Sequence, residues 1–333
     1  MVVTEEGWHT VPDGTKLYTK TWKTDGPAKA IVAFVHGFSD HCNAYYEFFP
    51  TLASHGIEVR AFDQRGWGHS VTIPTTRGLT GSTAVVMSDI HSFLSSIYES
   101  LASKDKDATS PSALETETPV FLMGHSMGGG EVLYYVLNSG LAIPPLRGVL
   151  AYSPLITLHP STRPGDFKVF ASKLAAKLMP HRPLVTSLSP DLMCRDKRIG
   201  QDWAEDPLCH NTGTLEGLVG MFDRGDWLDS EKAGVKGTYD GAVWIGHGTA
   251  DEVNDYEGSR QLADRLAHHD KTFKSYDGAY HKLHGEPEGV KEAFAKDVAG
   301  WILERCGGSA TAVNEPSGSV EVTAEAEPSK AKL

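Results

Sequence analysis

The chain has 333 residues, 40% of them hydrophobic, and a formal net charge of −12. That length suits one large α/β domain with an insertion about as well as two smaller domains, and the acidic balance argues against nucleic acid, whose phosphates need a basic surface. The four cysteines, Cys42, Cys194, Cys209 and Cys306, lie far apart with no C-x-x-C pair and no Cys/His cluster at metal spacing, which points to reduced thiols inside the cell.

Met1-Val2-Val3-Thr4-Glu5-Glu6 offers no basic region followed by an apolar core, so no signal peptide is expected. No apolar run approaches the roughly 18 residues of a membrane span, and a soluble protein is expected. Residues 8–23 read as two strands around Pro12-Asp13-Gly14. The apolar run 30–35 is a strand buried on both faces, ending in His36-Gly37-Phe38-Ser39-Asp40. A helix through Phe48, Phe49, Leu52 and Ala53 stops at Gly56, and 58–62 is the next strand, closed by Asp63-Gln64-Arg65-Gly66-Trp67-Gly68. Val86, Ile90, Phe93, Leu94, Ile97 and Leu101 fall at helical spacing and form a core face. Residues 103–118 are polar and read as an exposed loop.

Residues 119–123 form a second apolar run, which breaks into Gly124-His125-Ser126-Met127-Gly128 and then a helix. Further strands are expected at 148–152, 242–245 and 272–276, with helical patterns through Leu262 and Leu266 and from Val290 to Ile302. Strands alternating with helices imply a mostly parallel sheet covered on both faces, with ligands beyond the carboxyl ends of the strands. Residues 156–239 interrupt the alternation with Pro-rich sequence and two amphipathic pieces, 166–179 and 214–222, and are expected to form a cap over those strand ends. The core would then comprise 1–155 and 240–306. Residues 307–333 lose their aromatics and read as a disordered tail.

The chemistry centres on Ser126. Small residues two places to either side let the chain turn sharply and present the hydroxyl, with a helix N-terminus aimed at the same point. Serine becomes a nucleophile when histidine takes its proton and a buried carboxylate supports the imidazolium. In the chain order expected for such sheets, Asp251 just past a strand end is the first candidate acid and Asp255 its rival. Asp223 and Asp226, in the expected cap, are poorer placed. His281 and His284 both follow the last strand and are the candidate bases, His281 leading. His125, beside the serine on a tight turn, is read as packing. The backbone N–H groups of Met127 and Phe38 are the candidate oxyanion donors.

These motifs, with Ser153-Pro154-Leu155-Ile156, His247-Gly248-Thr249-Ala250-Asp251 and Ala279-Tyr280-His281-Lys282-Leu283-His284, resemble the monoacylglycerol lipases of the α/β-hydrolase superfamily, especially the fungal type. The resemblance runs from about Trp8 to Cys306. It implies an α/β-hydrolase fold with an eight-stranded, mostly parallel sheet and an inserted helical cap. It also implies Ser126 as nucleophile, Asp251 as acid, His281 as base and an oxyanion hole at Phe38 and Met127. The implied reaction cleaves monoacylglycerol to fatty acid and glycerol without metal or cofactor, and Asp40 and His284 would hold the glycerol headgroup. Mammalian relatives carry an arginine where this chain has Ala44, which leaves the preferred isomer open. A carboxylesterase, lysophospholipase or acyltransferase would use the same residues, while a catalytically silent binding protein has no need of all three.

Phe167, Phe170, Leu174 and Leu178 share one face of the first cap piece, flanked by Lys168, Lys173 and Lys177. That face either covers core or touches a membrane or lipid droplet. The last residues, Ala331-Lys332-Leu333, resemble a variant of the Ser-Lys-Leu peroxisomal address; otherwise a cytoplasmic location is expected. Oligomeric state is open.

Overall fold

The structure is a computed structural model describing residues 2–106, 118–163, 166–186, 188–234, 239–287 and 289–306, with backbone alone at 104–106 and 166–170. Its framework is an eight-stranded sheet built from β1 (Thr4–Thr10), β2 (Lys16–Trp22), β3 (Ala30–Val35), β4 (Ile57–Phe62), β5 (Val120–His125), β6 (Gly148–Tyr152), β9 (Ala242–Gly248) and β10 (Lys271–Tyr276). The strand order is β1-β2-β4-β3-β5-β6-β9-β10. The β1–β2 and β2–β4 pairs are antiparallel and all others parallel.

Alternation explains why β3 is apolar throughout. Ile31, Ala33 and Val35 join the core on one face, while Ala30, Val32 and Phe34 join the core on the other. The first face is covered by α2 (Thr83–Lys106), α3 (Met127–Asn138) and α7 (Tyr256–Arg265), the second by α1 (Phe48–Ser54) and α8 (Val290–Glu304). Removing the fully buried Phe34 ring would cost about 3–5 kcal/mol in transfer and cavity terms. The sheet edges carry charge, with Glu5 and Glu6 on β1 and Lys271 and Lys274 on β10, which discourages edge-to-edge pairing.

The chain departs from the sequence reading in four places. Helix α2 continues to Lys106, so the expected loop does not begin at Ser103, and 107–117 lie outside the described residues. Strand β9 runs on to Gly248 and carries His247 into the interior. Between β6 and β9 lie α4 (Asp166–Leu178), a short ladder of β7 (Pro183–Val185) with β8 (Thr212–Thr214), α5 (Lys197–Glu205) and α6 (Leu215–Asp229). Helix α5 is not signalled by periodicity, because only Gly200 and Trp203 are buried along it; its start is held by Asp196, which accepts a hydrogen bond from the Arg198 N–H. Finally, Leu228 and Ala233 pack in the sheet core, so the stretch 156–239 does not separate cleanly from it. The expected tail, 307–333, lies outside the described residues.

Candidate active site

Ser126 joins β5 to α3 with φ 54° and ψ −117°, a conformation that costs a non-glycine residue about 1–3 kcal/mol. The surroundings enforce it. A Cβ on Gly124 would collide with the Gly128 carbonyl, and one on Gly128 with the carbonyls of Val35 and His36. The Ser126 carbonyl accepts from the N–H groups of Leu155 (2.8 Å) and Gly130 (3.0 Å), and its own N–H donates to the Tyr152 carbonyl (3.1 Å). Close packing of helix against strand therefore requires both glycines, and the hydroxyl is left at the strand end.

The structure brings together the three side chains singled out for catalysis. Ser126 Oγ lies 2.9 Å from His281 Nε2, and His281 Nδ1 lies 2.8 Å from Asp251 Oδ2. With the His281 proton on Nδ1, Nε2 is free to accept the serine proton. Asp251 is itself well held, its Oδ1 accepting from the N–H groups of Val253 (2.8 Å) and Asn254 (3.1 Å) and its Oδ2 from His247 Nε2 (3.0 Å). The Ser259 hydroxyl, 2.7 Å from His247 Nδ1, fixes the tautomer that makes this possible. Burial alone would raise the Asp251 pKa, but His281 and His247 overcome it and keep the carboxyl below the usual carboxylate range. The rival Asp255 instead caps α7, accepting from the Glu257 N–H at 3.1 Å. Asp223 and Asp226 pair with Lys173 near the surface.

Phe38 and Met127 both line a cavity of about 450 Å³ beside Ser126, within the size range of small-molecule sites. As the first residue of α3, Met127 has an N–H with no intrahelical acceptor. The rest of the wall is mainly apolar, including Leu155, Leu188, Leu218, Met221 and Phe222.

One end of the cavity is polar. Asp40 is there as expected, but both its carboxylate oxygens are engaged by Lys282 Nζ at 2.8 and 3.0 Å. Burial opposes the charge on Asp40; Lys282 and His125 reverse that and hold its pKa below the usual carboxylate range. His284 does not reach the cavity wall. Its ring is packed against Tyr45, Tyr46, Phe48 and Tyr152, and Nδ1 accepts from the Tyr152 hydroxyl at 3.0 Å. The local reason is a short 3-10 turn, Leu283–Gly285, which carries His284 back under the sheet rim while Lys282 faces the cavity. His125 packs as expected, stacked on Tyr152 at 4.5 Å, yet also contributes to the cavity wall. Burial lowers its pKa to about 4, so it stays neutral at physiological pH.

A second buried pair fastens the helix that follows Ser126. Arg224 of α6 donates to Glu131 of α3 at 2.9 Å, and both are almost fully buried. Desolvation raises the Glu131 pKa to about 7 in spite of the arginine.

A protein-family model described as serine aminopeptidase, S33, matches residues 26–288. A provisionally named monoglyceride lipase of Schizosaccharomyces pombe is 35% identical over 308 residues, which cover 92% of this chain and 76% of that protein. The chain belongs to the monoglyceride lipase family of α/β-hydrolases. The human monoglyceride lipase in that family is 29% identical over 300 residues, covering 90% of this chain and 91% of the relative. The crystal structure of a soluble variant of Saccharomyces cerevisiae monoglyceride lipase with a substrate analog superposes at a TM-score of 0.81 and 25% identity, covering 93% of this chain and 97% of that one. As a member of this family the chain is a serine ester hydrolase.

Sequence reasoning missed Lys282, His247 and the Glu131–Arg224 pair. Lys282 could have been suspected, since a lysine between two motif histidines is an unusual neighbour for an apolar cavity. His247 stands four residues before Asp251 in a motif already singled out, so its support of that carboxylate was within reach, whereas the Glu131–Arg224 pair is 93 residues apart and left no local signal.

Proposed function

We propose that this protein hydrolyses monoacylglycerols to fatty acid and glycerol, with Ser126 as nucleophile, His281 as general base and acid, and Asp251 as its orienting carboxylate. The observation that carries the reading is the hydrogen-bonded chain Ser126–His281–Asp251 at the floor of an apolar cavity with one polar end. His281 takes the Ser126 proton as Oγ attacks the ester carbonyl. The N–H groups of Phe38 and Met127 receive the developing oxyanion. His281 then protonates the leaving glycerol oxygen, and a water activated by the same imidazole releases the fatty acid from the acyl-enzyme. Asp40 and Lys282 together form the headgroup end, offering both acceptors and donors to glycerol hydroxyls, while the apolar wall takes the acyl chain. The family relationship to monoglyceride lipases supports this choice of ester.

The segment between β6 and β9 acts as the cap. Leu174 (55% exposed), Leu178 (76%) and Val185 (79%) lie on its outer side, and this apolar surface supports peripheral contact with a membrane or lipid droplet. Among the described residues, no helix is long and apolar enough to cross a membrane. Ala331-Lys332-Leu333 lie outside the described residues; deleting them should abolish any peroxisomal import, and unchanged location would dispose of that address.

The test is labelling of the purified chain by a fluorophosphonate probe, with Ser126→Ala alongside. Labelling that survives the substitution would remove Ser126 from the mechanism. A panel of 1- and 2-monoacylglycerols, diacylglycerol, lysophospholipid and simple carboxylic esters then reads the substrate class. Preference for lysophospholipid would overturn the monoacylglycerol assignment while leaving the triad in place.

A further inference from the structure

Three side chains far apart in sequence converge where the loop after β3 meets the loop after α5. His41, Asp206 and Cys209 each offer a ligand atom, and these atoms lie within 4.8 Å of one another. His41 Nε2 is already 2.9 Å from Asp206 Oδ2. The sequence shows no metal spacing here because the cluster exists only once the cap is folded onto the core.

We infer that His41, Asp206 and Cys209 form a site for one divalent transition-metal ion of the Zn2+ type, which clamps the cap segment to the loop that carries Phe38 and Asp40.

The donor set favours such an ion over Mg2+ or Ca2+, since imidazole nitrogen and thiolate sulfur suit Zn2+ and its neighbours whereas the hard cations take oxygen. Tetrahedral coordination needs donor atoms about 3.4–3.7 Å apart, from metal–ligand distances of about 2.0–2.3 Å. Forming the site therefore means opening the His41–Asp206 pair by about half an ångström and closing the longer separations by up to about 1.4 Å. Three protein ligands leave a fourth position for water. Asp206 and Cys209 are only partly buried, which gives an ion a route in, while His41 is almost wholly enclosed and fixes the geometry.

The surrounding charge agrees with a cation. The carboxylates of Asp40, Asp206 and Asp63 surround the Cys209 sulfur, with Lys282 opposing them. Their net negative charge attracts a cation to this seam. On binding, Cys209 loses its proton to solvent and the thiolate joins the metal. The His41 proton moves from Nε2 to Nδ1, giving up a 3.3 Å contact from the Asn43 N–H, and Nε2 donates its lone pair.

The clamp follows from what is attached. Ser39 already accepts from Trp203 Nε1 of α5 at 2.8 Å, and Lys282 Nζ sits 5.8 Å from the Trp203 ring while bonded to Asp40. Metal ligation at His41 would add a strong bond to the same seam and slow the opening that admits a long acyl chain.

The test uses chelator-treated full-length protein titrated with Co2+ and Zn2+. One Co2+ per chain should bind with a thiolate-to-metal charge-transfer band, displaced by Zn2+. Cys209→Ser should abolish the band and weaken Zn2+ binding by at least about 10-fold, and His41→Gln should weaken it similarly, whereas Cys306→Ser should change neither. Zn2+ should slow hydrolysis of a long-chain monoacylglycerol, reversibly with EDTA, in the parent but not in Cys209→Ser. A band that persists in Cys209→Ser, or no stoichiometric binding, would overturn the site; binding without any change in rate would overturn the clamp. The absorption readout does not depend on the substrate assignment.

Discussion

Replacing Lys282 by Met removes one partner of an ion pair in which both side chains are about 1–2% exposed. Breaking such a pair leaves a buried charge uncompensated and costs about 3–5 kcal/mol, or roughly 10²- to 10⁴-fold in the folding equilibrium. Asp40 retains Tyr45 and His125 as neighbours, so the lower end of that range is expected. The pH dependence has a defined sign. In the parent, the Asp40 pKa is depressed by folding, so its contribution is fully present above the ordinary carboxyl pKa and is lost as pH falls through the folded value. In Lys282→Met, burial is less opposed and raises the carboxyl pKa, so the variant loses stability as pH rises. The deficit should therefore widen from pH 4 to pH 8. Urea unfolding of Lys282→Met, Asp40→Asn and the double variant reads it, and the double variant should recover to within about 1–2 kcal/mol of the parent. A deficit under about 1 kcal/mol at pH 8, or a double variant whose loss equals the sum of the singles, would refute the reasoning. Activity supplies a second measure, because Phe38 and His281 lie on the two loops that this pair joins.

Asp251→Asn should leave the fold intact and lower kcat by about 10⁴-fold, since the amide cannot hold the imidazole in its productive tautomer; stopped assays on a monoacylglycerol give the ratio. Gly128→Ala should yield an unstable or insoluble chain, measured by thermal melting, because its Cβ meets the Val35 and His36 carbonyls. The Glu131 pKa lies above its ordinary value, so this group stabilises the fold most at low pH and loses that contribution as pH rises through about 7. The stability advantage of the parent over Glu131→Gln should therefore shrink between pH 5 and pH 8, and a constant gap in urea titrations would contradict it. Leu174→Ser with Leu178→Ser should reduce partitioning to liposomes while sparing a soluble short-chain ester; equal loss on both would indicate unfolding.

The strands and the serine turn were legible because each depends on local pattern. The runs 30–35 and 148–152 coincide with β3 and β6 because a strand buried on both faces has no polar position to blur its ends. Asp251 and His281 could be named because the fold places them just past strand ends. Lys282 and His284 show where this stops. Spacing along a loop does not say which side chain a 3-10 turn will aim at the cavity, and a shift of two residues put Lys282 rather than His284 at the wall. Helix α5 was missed for a related reason, as nine residues with one large buried side chain carry too little periodicity to stand out.

Helix α6 has a consequence for where the acyl pocket can be reshaped. Its first half supplies Leu218, Met221 and Phe222 to the cavity, its middle is tied down by Arg224, and Leu228 near its end is embedded in the sheet core. Leu188 and Leu192 of the same wall pack instead on a small cluster around Trp203 and Val253, apart from the sheet core. Reshaping the acyl pocket should therefore disturb the fold less when attempted at Leu188 and Leu192 than along α6.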